Sequence, residues 1–361
     1  MSGKLYLRPA GFIWGEPAAQ AIAQGAASPI AGGSLCCTGF EVIEGTPGKA
    51  MRRFASARDI GASGNADIRR LLRKLTAPRP DIAGIPMDRT QLMGIVNVTP
   101  DSFSDGGDFA EADLAVAHAR RLATDGAAFI DIGAESTRPG AEAVTEAEEL
   151  RRIRPVVERL RGLPAVISVD TRKASVMRAA IDGGAALIND VSALSHDPDA
   201  LRTVAALGCP VVLMHTKGDP RTMQDDPTYA DVLLEVYDAL EARIEAAEAA
   251  GIWRRQVVAD PGIGFGKTIE HNLALLAGIG LFHGLGVPIL LGVSRKRLIG
   301  TISGEANPKK RAPGSIGAAL AGALQGVQIL RVHDVGETRQ ALDVWQASLT
   351  GRWTVLQAGC S

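Results

Sequence analysis

Residues Gln91–Gly107 read QLMGIVNVTPDSFSDGG, an apolar strand that runs directly into a polar, glycine-rich loop at Asn97. The same change from apolar to polar residues recurs in seven later segments: AAFIDIGAESTRPG, PAVISVDTRK, ALINDVSA, VVLMHTK, VVADPGIGFGK, ILLGVSRK and VQILRVHD. Continuous apolar runs are typical of parallel strands that are covered on both faces, and the segments between them have helical periodicity. The sequence therefore predicts eight strands that alternate with helices.

The spacing of these strands predicts how the sheet is arranged. Strand ends recur at a distance typical of one strand-loop-helix-loop unit, which is roughly 30 residues. A solenoid of repeats would share a side-chain consensus, and these units share only the change from apolar to polar residues. A doubly wound open sheet would place a glycine-rich phosphate turn after its first strand, where this chain has NVTPDSF. We therefore predict a closed (β/α)8 TIM barrel of the α/β class.

Each predicted strand ends in polar side chains that suit catalysis. In a TIM barrel the carboxyl ends of all strands meet on one face, where the active site lies. A single polar residue at a strand end often only caps the next helix. Here every strand end carries at least one, so we expect a site on that face built from the following residues: Asn97, Asp131, Glu135, Asp170, Asn189, Asp190, His215, Asp260, Lys296, Arg331 and His333.

Composition excludes several classes of protein. With 361 residues, of which 46% are hydrophobic, the chain can bury a large core, and its apolar runs have the length of strands rather than of membrane spans. The first residues, MSGKLYLRPAGFIWGEP, lack the apolar centre of a signal peptide. A net charge of −1 gives no reason to expect nucleic acid. The four cysteines are not spaced like zinc ligands, so we expect a cytoplasmic protein with reduced thiols and no membrane partner.

The first 90 residues lack the rhythm of the barrel and end in TAPRPDIAGIP, a composition typical of a linker. They carry 12 Lys or Arg against 7 Asp or Glu. Two segments in this region are predicted to be helical, EPAAQAIAQGAASPIAGG and NADIRRLLRKLTA, and the second has an apolar face formed by Ile68, Leu71, Leu72 and Leu75. The predicted domains are an N-terminal accessory region with linker (1–90), a catalytic barrel (91–350) and a C-terminal tail (351–361).

Eight ordered motifs give the barrel a family resemblance. They are GIVNVTPDSFSDGG, DIGAESTRPGA, ISVDTRK, INDVSA, VVLMHTKGDPRTMQ, DPGIGFGK, GVSRK and RVHDV, and with them residues 90–350 resemble the dihydropteroate synthase family, the pterin-binding barrels that sulfonamide drugs target. The resemblance implies condensation of 7,8-dihydropterin-6-ylmethyl diphosphate with 4-aminobenzoate, giving 7,8-dihydropteroate and pyrophosphate in folate biosynthesis. It also implies Mg2+ as cofactor and a homodimer. The accessory region lies outside the resemblance.

The pterin half of the substrate needs buried acceptors for its N–H groups, because an unpaired polar group in a buried pocket is costly. Carboxylate and amide side chains suit this need, although Asp170 and Asn189 could instead cap helices. The resemblance implies that the pterin is held by Asp170, Asn189, Met214, Asp260 and Lys296. An ammonium group such as that of Lys296 suits the pterin carbonyl.

The diphosphate half needs cations and donors. The first and last strands of a closed barrel are neighbours, so Asn97 is expected beside Arg331 and His333. The planar fork of an arginine matches phosphate oxygens. The resemblance implies that these three residues surround the diphosphate, that Asn97 also contacts Mg2+, and that the catalytic residues are Asn97, Arg138, Lys296, Arg331 and His333.

The loops after the first two strands are rich in glycine and polar residues, which suits loops that move. The resemblance implies that Thr137, Arg138 and Pro139 contact the diphosphate and the aminobenzoate, and that Phe265 contacts the benzoate ring. Two positions depart from the family: Arg297 stands where a serine is common, and Ile263 where some relatives have phenylalanine.

Two other functions fit parts of this pattern. A pterin-dependent methyltransferase would have similar Asp and Asn residues but no diphosphate to bind, so the TRPG, SRK and RVHDV segments would lack a purpose. A non-catalytic pterin-binding protein would be expected to have lost Lys296 or Arg331, and both are present. We therefore predict the synthase reaction.

Overall fold

The computed structural model of the chain describes residues 3–98, 108–135, 144–218 and 222–352. Its N-terminal part forms an antiparallel sheet, in which the long third strand pairs with the first along one edge and with the second and fourth along the other. The strands are β1 (Lys4–Trp14), β2 (Ser28–Pro29), β3 (Leu35–Gly45) and β4 (Met51–Ser56). Helices α1 (Gly15–Ala23), α2 (Ala57–Gly61) and α3 (Ala66–Thr76) accompany them.

Of the two helical segments predicted in the accessory region, NADIRRLLRKLTA forms α3 as predicted. The prediction for EPAAQAIAQGAASPIAGG is correct only for its first half, because α1 ends at Ala23 and the second half contains β2 (Ser28–Pro29). Helix α3 begins after Asn65, whose side chain accepts hydrogen bonds from the backbone N–H groups of Asp67 and Ile68. The sequence did not predict the strands of this region. β3 is buried on both faces and pairs with β1 across the whole of α1, so neither an alternating pattern nor a short turn indicates it.

The barrel is an eight-stranded parallel sheet, as predicted. Its strands are β5 (Gln91–Asn97), β6 (Phe129–Gly133), β7 (Val166–Asp170), β8 (Leu187–Asp190), β9 (Val211–Met214), β10 (Val257–Asp260), β11 (Leu290–Leu291) and β12 (Ile329–Val332). β5 pairs with β6 on one side and with β12 on the other. A parallel bridge from Ala259 to Ile289 joins β10 to the start of β11 and closes the circle.

Helices cover the outside of the barrel, and each strand is followed by at least one of them. They are α4 (Asp108–Thr124), α5 (Glu146–Arg159), α6 (Ala174–Gly183), α7 (Ala200–Leu207), α8 (Val232–Ala249), α9 (Ile269–Ala277), α10 (Arg297–Ser303), α11 (Ala312–Leu324) and α12 (Val335–Thr350), with 3-10 helices at Arg254–Gln256, Ile279–Leu285 and Pro308–Lys310. Within the described ranges, every helix is too short or too polar to cross a lipid bilayer.

The amino-terminal end of the barrel is sealed by apolar side chains. Each strand directs one side chain into this layer: Met93, Phe129, Val166, Leu187, Val212, Val258, Leu290 and Ile329. The segment before β5 packs against them from outside through Ile82, Ile85 and Met87, and Ile82 and Ile85 exchange two backbone hydrogen bonds. In the described part of the chain, the barrel is therefore closed at its amino-terminal end and open to a ligand at the opposite face.

Candidate active site

Side chains alternate between the two faces of a strand, so the residue two positions beyond each member of the sealed layer also points into the barrel. This second layer consists of Ile95, Asp131, Ser168, Asn189, Met214, Asp260, Gly292 and Arg331. Five of these eight residues are polar or charged. The site thus has a polar floor laid directly on an apolar seal.

Asp131 is the central hydrogen-bond acceptor of this floor. Its carboxylate is fully buried and accepts three hydrogen bonds, from Ser168 Oγ at 2.6 Å, Asn189 Nδ2 at 2.9 Å and Arg331 Nε at 2.6 Å. The three partners come from three different strands. Asp131 therefore fixes the orientation of two residues that the sequence assigned to the substrate, Asn189 and Arg331.

Asp170 lies above Asp131, two residues beyond Ser168 on β7. It accepts a hydrogen bond from a terminal guanidinium nitrogen of Arg331 at 3.1 Å. Burial raises the pKa of Asp170, and the charge of Arg331 opposes that shift. The fork of Arg331 is thus held between Asp131 and Asp170, with its side chain 21% exposed toward the mouth of the barrel.

The loop after β10 forms one wall of the site. Asp260 is buried, and its Oδ1 accepts the backbone N–H of Gly262 at 2.7 Å. Burial raises the pKa of Asp260, and the nearby ammonium group of Lys296 lowers it. Gly262 has a φ of +67°, and a side chain there would meet the carbonyl oxygen of His215 at 1.9 Å, so only glycine fits. Met214, at the end of β9, lies under this glycine.

Lys267 organises the same loop, and the sequence reasoning did not assign it a role. Its ammonium group is buried and donates to the carbonyl oxygens of Gly262 and Phe265, both at 2.9 Å, and of His215 at 3.3 Å. It also lies 2.9 Å from His215 Nδ1. Burial lowers the pKa of Lys267 to about 7 and that of His215 to about 3, so the ring is neutral and its Nδ1 can accept a hydrogen bond from Lys267. In GIGFGK, glycine alternates with other residues, which allows several backbone carbonyl groups to converge on one point. This pattern indicates a buried hydrogen-bond donor such as Lys267.

Lys296 reaches the site from the residue that precedes α10. Its ammonium group donates to the carbonyl oxygen of Ile263 and lies 4.5 Å from the centre of the Phe265 ring. Burial lowers the pKa of Lys296 to about 8, with Asp260 acting in the opposite direction. Phe265 and Lys296 therefore form one cation–π pair at the edge of the pocket. Ile263 is fully buried, and Arg297 is the first residue of α10.

Asn97 and His333 stand at the ends of the neighbouring strands β5 and β12. Asn97 is level with Gly133 of β6, which is level with Asp170 of β7. His333 Nδ1 lies 3.0 Å from Ser294 Oγ, and the backbone N–H of His333 also donates to that oxygen at 3.2 Å. Ser294 was not assigned a role from the sequence, and it orients the histidine ring.

Three predicted site residues, Thr137, Arg138 and Pro139, lie outside the described residues, as does the segment Ser102–Gly107. Glu135, close to Thr137 in the sequence, forms ion pairs with Arg172 at 2.9 Å and with Lys173 at 3.0 Å. The prediction for Asp190 is wrong: the neighbouring Asn189 points into the barrel, so Asp190 points away from it, and its carboxylate accepts hydrogen bonds from Ser192 and from the backbone N–H of Leu194. The remaining predicted substrate-binding residues gather at one end of the barrel, in two groups. One contains Asp170, Asn189, Arg331, Asn97 and His333; the other contains Met214, Asp260, Phe265 and Lys296.

Known proteins share this barrel. The pterin binding enzyme family matches residues 93–333. The dihydropteroate synthase of Escherichia coli (strain K12) is 45% identical over 269 residues, which are 74% of this chain and 95% of that protein. The Xanthomonas albilineans dihydropteroate synthase solved with 4-aminobenzoic acid has a TM-score of 0.71 and 53% identity, covering 75% of this chain and 98% of that one. The same enzyme in complex with 7,8-dihydropteroate has a TM-score of 0.68 and 50% identity over the same shares.

Proposed function

Because the chain belongs to the dihydropteroate synthase family of pterin binding enzymes, we propose that it condenses 7,8-dihydropterin-6-ylmethyl diphosphate with 4-aminobenzoate. The products are 7,8-dihydropteroate and pyrophosphate. The observation that carries the proposal is the polar floor of the barrel, in which Asp131, Asn189, Asp260 and Arg331 offer fixed hydrogen-bonding groups above a sealed apolar layer.

The pterin binds on this floor. Asp260 uses one oxygen for Gly262, and its other oxygen lies beside Gly292, where the absence of a side chain leaves room for a ring. That oxygen accepts from the pterin N–H groups. Asn189 donates its amide N–H to Asp131, so its amide oxygen is available to accept from the ligand. Lys296 donates to the pterin carbonyl from the side of the pocket.

The diphosphate lies at the ends of β5 and β12, where Arg331, His333 and Asn97 meet. Among the described residues, His, Cys, Asp and Glu side chains do not gather in a group of three or more that could hold a metal ion. The site still fits Mg2+, because this ion binds largely through substrate oxygens and water and needs only one protein oxygen. Asn97 would provide that oxygen. When bound, Mg2+ would neutralise charge on the leaving diphosphate.

The protein acts by positioning and by charge rather than as a nucleophile. Departure of pyrophosphate leaves a cationic methylene conjugated with the electron-rich dihydropterin. Arg331 and His333, together with the predicted Arg138, stabilise the negative charge that develops on the leaving group. The arylamine nitrogen of 4-aminobenzoate, with its ring held against Phe265, then bonds to the methylene and releases one N–H proton to water, which gives the neutral secondary amine of dihydropteroate.

An incorporation assay tests this function. Purified protein with the dihydropterin diphosphate, radiolabelled 4-aminobenzoate and Mg2+ is expected to form labelled dihydropteroate and pyrophosphate in equal amounts. Chelation of Mg2+, or use of the pterin alcohol that lacks the diphosphate, is expected to abolish product. Tight pterin binding without condensation would show a binding protein, and transfer of a methyl group from a reduced pterin would show a methyltransferase.

Three further properties belong to the proposal. Sulfonamides compete with 4-aminobenzoate, because both present an arylamine.

The chain forms a homodimer through barrel helices, which is supported by apolar side chains exposed on α9 to α12: Leu273, Ile302, Leu324 and Val344. The protein acts in the cytoplasm, in keeping with the free thiols of Cys36, Cys37 and Cys209. Inhibition kinetics and analytical ultracentrifugation test the first two.

A further inference from the structure

We propose that the accessory region positions the active site, by bracing the connection between β9 and α8 that supports the GIGFGK loop. The inference rests on the proposed function only for its kinetic test. Its structural basis is a continuous set of contacts from the turn between β3 and β4 to the carbonyl groups on both sides of Phe265.

The first contact is between the accessory region and the start of α8. Arg52 on β4 pairs with Asp231 at 2.6 Å. The other oxygen of Asp231 caps α8 by accepting the backbone N–H of Leu234 at 3.2 Å. The β3–β4 turn lies against the preceding residue, since a side chain on Gly48 would stand 3.1 Å from Cβ of Ala230. The accessory region therefore contacts Ala230 through Gly48 and the N-cap residue of α8, Asp231, through Arg52.

The second contact is between the connection and the GIGFGK loop. Tyr229 donates its hydroxyl hydrogen to the carbonyl oxygen of Gly266 at 2.9 Å, and Gln224 donates to that of Gly264 at 2.8 Å. These two carbonyls flank Phe265. Lys217 holds Tyr229 from the other side, with its ammonium group 4.3 Å from the ring centre. Movement of Ala230 and Asp231 would thus displace the groups that hold Phe265 in place.

The family match begins at residue 93, and the alignment with the Escherichia coli relative leaves about a quarter of this chain unmatched. The brace is accordingly an addition to the shared barrel. It does not line the pocket itself, so Arg52 is a positioning residue and not a catalytic one.

A second anchor of the accessory region provides a matched control. Lys4 on β1 pairs with Asp238 at 2.6 Å and Glu241 at 2.7 Å, both within α8. The exposed fractions of the two basic side chains are similar, 41% for Lys4 and 37% for Arg52. Lys4 thus ties the same region to the same helix at a comparable depth, but away from the connection that reaches the GIGFGK loop.

The test compares Arg52→Ala, Arg52→Lys and Lys4→Ala in the full chain. For Arg52→Ala we expect a two- to fivefold rise in KM for 4-aminobenzoate, with kcat nearly unchanged. This fold-change corresponds roughly to the free energy that a partly exposed ion pair contributes. Arg52→Lys keeps the charge and is expected to recover most of the loss, and Lys4→Ala is expected to leave KM unchanged. Equal KM for Arg52→Ala and the wild type, or equal increases in Arg52→Ala and Lys4→Ala, would overturn the proposal.

Hydrogen–deuterium exchange gives a readout that needs no catalysis. In Arg52→Ala, peptides covering residues 222–231 and 261–267 are expected to exchange about two to five times faster than in Lys4→Ala. Absence of any difference would refute the brace even if the enzyme is active. A clear difference in a protein without synthase activity would instead refute the proposed function and leave the brace standing.

A double-variant cycle tests the route through Tyr229. Tyr229→Phe removes the hydrogen bond to Gly266 and is expected to raise KM for 4-aminobenzoate. If Arg52 acts through Tyr229, the variant carrying both changes is expected to be little worse than the more affected single variant. Effects that multiply would show two independent contacts and contradict the route.

Discussion

Loss of the Asp131 carboxylate is expected to damage both stability and pterin binding. Asp131→Ala leaves the guanidinium of Arg331 without its 2.6 Å partner, and Ser168 and Asn189 without their acceptor, all in the buried floor. Removing one partner of a buried ion pair costs about 3–5 kcal/mol. Asp170 remains 3.1 Å from Arg331 and retains part of the pairing, so we expect about 3 kcal/mol.

A graded series separates the charge from the hydrogen bonds. Asp131→Asn keeps one acceptor oxygen that can still receive Asn189 and Arg331, so its cost is expected to be about 1.5–3 kcal/mol, the value of hydrogen bonds to a charged group. Ser168→Ala removes one of the three donors to the charged carboxylate and is expected to cost about 1.5 kcal/mol, the lower end of the same range, because Asn189 and Arg331 still donate to Asp131. Asp182→Ala, an exposed carboxylate, is the control and is expected to change nothing.

Urea unfolding measures the stabilities, and calorimetric titration of a pterin measures binding. Pterin affinity is expected to fall in the same order as stability, because Asp131 fixes Asn189 and Arg331, the residues proposed to contact the ligand. If Asp131→Ala unfolds at the same urea concentration as the wild type, or binds pterin equally well, Asp131 does not organise the floor and the reasoning fails.

Three further predictions concern the wall of the site. Asp260→Asn is expected to weaken pterin binding at least about tenfold by calorimetry, because an N–H would face the pterin N–H groups; unchanged affinity would contradict the assignment. Pterin affinity is expected to fall as pH rises above about 8, the pKa of Lys296, and to stay level in Lys296→Arg; a fall in both would indicate another group. Lys267→Met is expected to destabilise the fold by about 2–3 kcal/mol, since three carbonyls lose their donor. The folded pKa of Lys267, about 7, is below its ordinary value of 10.5, so its contribution to the free energy of unfolding grows from pH 7 to 10 and is lost as pH falls through 7. That rise is expected to disappear in Lys267→Met and to persist in Lys309→Met, which changes an exposed residue.

The sequence predicted the barrel because its strands are covered on both faces and so read as unbroken apolar runs. It also placed Asp260 and Asn189 at one end of the barrel, since the carboxyl ends of parallel strands share a face. The role of Asp131 was missed because it is set by partners on β7, β8 and β12, and no local pattern encodes which side chains meet across a closed sheet.

The accessory region was the least predictable part. Its sheet depends on pairing between β1 and β3, which are separated by a helix, and β1 is interrupted by Pro9 and Gly11. The contact of Arg52 with Asp231 joins residues 179 positions apart. In the sequence, Arg52 is one of twelve basic residues in the first 90 and carries no mark that separates it from a solvated surface charge.

The apolar layer at the amino-terminal end closes the pocket on that side. A pocket that is open at one end only restricts the order in which its ligands bind and leave. A molecule on the floor can enter and leave only past whatever stands at the mouth, where Lys296 and Phe265 lie. If the pterin binds on the floor and 4-aminobenzoate at the mouth, as proposed, the pterin is expected to bind first, and the product is expected to leave with its pterin end last. An inhibitor that fills only the mouth would then trap a pterin already inside, and its apparent potency would increase with pterin concentration.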